Sequence, residues 1–155
     1  MESNQYVEKI RKFNRYYANV LGKIDQEIYN QPFPLTEARV ITEINIRNGC
    51  TATEIRENLG IDRGYMSRIL QKFEDEKIIY KKQSSEDKRL FLLFLTDHGK
   101  EILIRLVDNA NREVGKMIQS MSNSELRKLT GSMETIESIF TRDKASQITI
   151  RSQVT

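Results

Sequence analysis

The sequence predicts a mainly α fold, α+β in detail, in which one small hairpin sits among long helices. Three observations point to it. Apolar residues recur at steps of three and four through most of the 155 residues, the spacing that lines one face of a helix. Two prolines and seven glycines leave few places for helices to break. One segment, Ile79 to Leu95, instead carries two runs of strand formers around a polar turn.

The elements follow in order. Val7, Ile10, Phe13, Tyr17, Val20, Ile24 and Ile28 mark one amphipathic helix over 3–29, which Pro32 and Pro34 stop. Thr36 is expected to cap a second helix that buries Ala38, Ile41 and Ile44, with Gly49 as its stop. Thr51-Ala-Thr-Glu54 fits a capping box and opens a short helix ending at Leu59-Gly60, where glycine supplies a left-handed turn. Asp62 caps the next helix, to about Glu76, with Met66, Ile69, Leu70 and Phe73 inward. Ile79–Gln83 and Arg89–Leu95 pair as a hairpin across Ser84-Ser-Glu-Asp-Lys88. Thr96 caps a fifth helix, and Ser122-Asn-Ser-Glu125 boxes a sixth that reaches Phe140. Ile148-Thr-Ile-Arg151 alternates as a short strand or loose tail would.

A short helix, a glycine turn, a second helix and a hairpin make a winged helix-turn-helix, here over 35–96. In such a unit the second helix enters the major groove of DNA and its N-terminal residues meet base edges. The residues set out for this task are Arg63, Gly64, Tyr65, Ser67, Arg68, Gln71 and Lys72. Arginine can bond guanine bidentately, while serine and tyrosine reach phosphates or base edges. Gly64 lets the first turn approach closely. Thr51 and Thr53 begin the helix before it. On the hairpin, Lys81 or Lys82 faces phosphate, and Asp87, Lys88 and Arg89 stand at the tip. Arg89 suits a narrow minor groove, with Asp87 holding it through a bidentate salt bridge.

Bulk charge adds little. The net charge is +3, and basic residues outnumber acidic ones only nine to eight over 51–95. Position carries the DNA reading: basic residues stand at the helix start and the hairpin tip, while Glu74, Asp75 and Glu76 close the far end. A winged helix that binds protein instead would lack that basic placement.

Other chemistries find few residues. One cysteine excludes an internal disulfide and a cysteine-based zinc site, and one histidine excludes a histidine-rich metal centre. No metal, cofactor or catalytic residue is expected. His98 falls in the first turn of the fifth helix, and Cys50 reads as a buried, inert thiol. No apolar run of about 18 residues is present to span a membrane, and a cytoplasmic protein is the expectation.

Leu35-Thr-Glu-Ala-Arg-Val-Ile, Ile55 through Leu59-Gly-Ile, Ser67-Arg-Ile-Leu, Ser85-Glu-Asp-Lys-Arg89 and Leu95-Thr96 together resemble the MarR family of regulators. The resemblance covers about Val7 to Phe140. It implies a domain over 1–140 that homodimerises through its N-terminal helix (3–29) and its last two helices (97–140). It also implies sequence-specific binding to palindromic double-stranded DNA, often relieved by a small-molecule effector. The apolar excess of the outer helices agrees with dimerisation, and Tyr16, Tyr17 and Phe33 are the candidates for an effector pocket.

A narrower likeness is also present. Arg11-Lys-Phe-Asn-Arg-Tyr-Tyr17, Pro34 to Arg39 and Gly64-Tyr-Met-Ser-Arg-Ile-Leu70 are similar to the MarR-type half of proteins fused to a GNAT acetyltransferase. On that likeness, residues 141–155 are either a tail or the start of a truncated following domain. No acetyl-CoA pyrophosphate loop is present, so the likeness implies a regulatory module and no enzymatic activity.

Overall fold

The computed structural model describes the backbone of residues 2–28 and 34–152, and the side chains of 4–25 and 34–142. It contains α1 (Glu2–Ile28), α2 (Leu35–Arg47), α3 (Ala52–Leu59), α4 (Arg63–Asp75), β1 (Ile79–Gln83), β2 (Phe91–Leu95), α5 (Asp97–Ile118) and α6 (Asn123–Ser152). The chain divides into two compact units, Met1–Val114 and Gly115–Thr155. Among the described residues, no helix is long and apolar enough to cross a membrane.

The core lies in the first unit. Val40, Ile41 and Ile44 of α2 meet Ile55 of α3, and the four predicted residues of α4, Met66, Ile69, Leu70 and Phe73, are all buried. Ile78, Ile79, Leu93 and Leu95 close it from the hairpin side, and Ile102 of α5 from beyond. Burying the apolar side of α4 fixes its rotation about its axis, so its polar side is presented outward.

Local bonds set the ends of the elements. Thr51 Oγ1 accepts from the Glu54 amide at 3.2 Å, and the Glu54 carboxylate accepts from the Thr51 amide at 2.7 Å, so the capping box forms. Gly60 takes φ +64° and turns the chain. The Asp62 carboxylate then accepts from the Tyr65 amide at 3.1 Å and starts α4. Ser122 and Glu125 box the start of α6 in the same way.

Three expectations about boundaries change. Thr36 does not cap α2: it is the second residue of the helix, which starts at Leu35 with Pro34 as its N-cap and the Ala38 amide donating to the Pro34 carbonyl at 3.1 Å. The left-handed end of α2 is Asn48 (φ +44°), and Gly49 (φ +109°) follows it. A Cβ on Gly49 would lie 2.9 Å from the Phe94 ring, so that glycine also serves close packing. The second strand begins at Phe91 rather than Arg89, because the Arg89 amide is bonded to Asp87 inside the turn at 3.0 Å.

Ile148–Arg151 are not a strand. They continue α6, which runs unbroken to Ser152. After Gly131 this stretch contains neither glycine nor proline, and β-branched residues lower helix propensity too little to stop an established ladder.

The strands pair antiparallel, from Ile79 opposite Leu95 to Gln83 opposite Phe91. Cys50 adds a bridge on the other edge of β2, where the Leu93 amide donates to its carbonyl at 2.8 Å. The root of the hairpin is tied a second time. The Thr96 amide donates to the Ile78 carbonyl at 3.0 Å, and the Thr96 hydroxyl accepts from the Gly99 amide at 3.0 Å.

Candidate nucleic-acid interface

The candidate surface is built from α3, α4 and the hairpin. On α4, Arg63, Gly64, Tyr65, Ser67, Arg68 and Gln71 are exposed on the side opposite the core. The Arg68 guanidinium stands 5.7 Å from the Tyr65 ring centre, a cation–π contact that holds two of the predicted side chains together. A Cβ on Gly64 would lie 3.3 Å from the capping carboxylate of Asp62. Gly64 therefore leaves room for the cap as well as for a close approach from outside.

An open groove of about 350 Å³ runs between α3, α4 and β1. Thr53 and Arg56 line it from α3, Arg63, Ser67 and Glu74 from α4, and Lys81 from β1. The structure thus brings Thr53, Arg63, Ser67 and Lys81 to one concavity. Thr51 is half-buried with its hydroxyl engaged in the capping box, so it positions α3 through its cap.

The hairpin tip holds the predicted pair. Arg89 Nε and Nη2 each donate to an Asp87 carboxylate oxygen at 3.1 Å, and the Arg89 side chain is 90% exposed. These bonds hold the Asp87 carboxyl below the ordinary aspartate range. The Lys88 carbonyl accepts from Gln83 Nε2 at 2.6 Å, leaving the Lys88 side chain exposed beside the turn.

Two lysines are committed to partners within the chain. Lys72 Nζ bonds the Glu37 carboxylate of α2 at 2.8 Å, and that bond is the first cause of its raised pKa. Lys72 is therefore a strut between α2 and α4, which departs from its expected place on the DNA-facing side. Lys81 pairs with Glu74, whereas Lys82, the next residue of β1, is exposed on the opposite face of the strand.

Glu37 was not singled out in the sequence, although a signal exists. It falls four and seven residues before Ile41 and Ile44, on the apolar stripe itself, where a carboxylate needs a partner. Glu74, expected at the far end of the helix away from the DNA-facing half, lines the groove instead, and Arg56 carries no signal in the sequence, because the groove that brings them together joins three elements.

The remaining candidates stay outside this surface. Tyr16 is exposed and Tyr17 stacks on Phe13 with ring centres 5.6 Å apart; Phe33 lies outside the described residues. His98 is exposed at the start of α5. Cys50 is buried, and desolvation pushes its thiol pKa up.

Residues 31–90 match the family model described as the MarR family. The HTH-type transcriptional regulator MgrA of Staphylococcus aureus is 29% identical over 119 residues, which span 77% of this chain and 76% of that protein. A MarR family protein from Bacillus stearothermophilus has the same fold, with a TM-score of 0.77 at 15% identity over 89% of this chain and 97% of that one. Streptococcus pneumoniae FabT, solved in complex with DNA, gives 0.69 at 19% identity over 88% and 98%. The winged-helix segment thus matches the MarR family model in sequence, and the fold is similar to that of MarR-family structures.

Proposed function

We propose that this chain is a MarR-family regulator of transcription that binds double-stranded DNA sequence-specifically, with α4 in the major groove and the hairpin tip against the backbone or minor groove. The observation that carries this reading is the outward, basic N-terminal half of α4, fixed by a fully buried apolar side and by the Asp62 cap. Arg63, Arg68 and Tyr65 meet base edges or phosphates there, and Arg89 reaches the duplex from the tip. The complex of FabT with DNA supports the same use of this fold.

The chain acts as a homodimer on a palindromic operator. Support comes from apolar side chains left exposed on the outer helices: Val7, Ile10 and Phe13 of α1, Val107 of α5, and Ile139 and Phe140 of α6. Two copies of α4 then meet successive major grooves about 34 Å apart. Release by a small molecule belongs to this reading through the family resemblance, and screening a small-molecule library for compounds that dissociate the DNA complex tests it.

The experiment that tests DNA binding is a titration of duplexes selected by the protein from a random pool, repeated across salt concentrations. Affinity is expected to fall steeply, with a log–log slope of about −0.9 per phosphate contact. A flat response, or no selected consensus, sinks the reading in favour of a protein-binding winged helix. The alternative of a GNAT-fusion module rests on the sequence likeness alone, and the reading frame beyond Thr155 decides it.

A further inference from the structure

The groove beside α4 contains three cations, Arg56, Arg63 and Lys81, and a single carboxylate, Glu74, among its lining residues. That carboxylate is ion-paired with Lys81 across the gap from α4 to β1. Both side chains keep contact with solvent, at 42% exposure for Lys81 and 33% for Glu74, so the pair can open to an incoming ligand. A surface pair of this kind is weak enough for another anion to displace. The anion expected in this groove, on the reading above, is a DNA phosphate.

We propose that Glu74 is a specificity-determining residue: an internal stand-in for phosphate that occupies Lys81 and repels the backbone of any duplex not held by base contacts. The inference rests on the DNA-binding reading. Its physical basis is that sequence-independent binding draws essentially all its free energy from phosphate contacts. Glu74 removes one cation from that supply and adds a like charge beside it. On a selected duplex, base contacts made by the N-terminal half of α4 fix the helix, and the loss of one phosphate contact matters less.

The test compares wild type, Glu74→Gln, Lys81→Gln and the double variant. Each is titrated with a duplex selected by the wild-type protein and with a scrambled duplex of the same composition. Glu74→Gln is expected to tighten binding to the scrambled duplex about threefold or more and to steepen its salt slope by about one. The gain on the selected duplex is smaller, and both gains shrink in the Lys81→Gln background, where only the relief of repulsion is left. Unchanged or weaker binding of the scrambled duplex by Glu74→Gln overturns the proposal, as does a gain of undiminished size without Lys81. Failure of the wild-type protein to bind any duplex overturns the DNA reading and this inference together, which distinguishes the two failures.

Discussion

Arg89 extends into solvent from the hairpin tip, yet two bonds to Asp87 hold its guanidinium in place. Such a residue is prepared for a narrow groove without having to be ordered on arrival. Arg89→Ala is expected to weaken binding to a selected duplex tenfold or more with no change in thermal stability, read by gel shift and melting; unchanged affinity would remove the hairpin tip from the interface. The pH response follows from the lowered pKa of Asp87. The clasp is complete above the ordinary aspartate value of about 3.9 and is lost only as pH falls through the still lower folded value. Asp87 therefore adds no pH dependence to binding between about pH 6 and 8, and an Asp87→Asn variant keeps the wild-type profile there. This pair was legible in the sequence because its members are two residues apart inside a turn. The pairing of Lys72 with Glu37 was not, since 35 residues separate them and only packing of α2 on α4 joins them.

At the scale of elements, the hairpin root constrains α5. A Cβ on Gly99 would lie 2.2 Å from the Ile78 carbonyl oxygen, a backbone atom that cannot swing away. Gly99→Ala is expected to cost about 1–3 kcal/mol, seen as a Tm lowered by several degrees, whereas Gly115→Ala in the same helix meets nothing within 4 Å and should be neutral or stabilising. Equal Tm values for the two variants would show that α5 can back away from Ile78. Caps and core stripes were readable, because a capping box spans four residues and a stripe repeats within one helix. Gly99 carried no such local signal, for its demand comes from a carbonyl 21 residues away. The end of α6 misled for the opposite reason: Ile-Thr-Ile alternates as a strand does, but a short period-two run fits a helix equally well.

For the whole molecule, the outer helices set the expected mass. Sedimentation should give about twice 18.2 kDa for the wild type, and Ile10→Asp or Phe140→Asp should shift it towards one chain while leaving the winged helix folded. A wild-type monomer at micromolar concentration would contradict the paired arrangement on DNA. Length and apolar excess made these helices legible, whereas the dimeric packing proposed for them is not encoded in any spacing along one chain.

The small sheet has a consequence of a different kind. Cys50 bridges the free side of β2, so among the described residues the open side of the sheet is β1. An open strand side invites pairing with a neighbouring molecule, and lysines are a common deterrent. Lys81 and Lys82 lie in the middle of β1. Neutralising both would strip this deterrent from the open strand, and the expected outcome is lower solubility at high protein concentration.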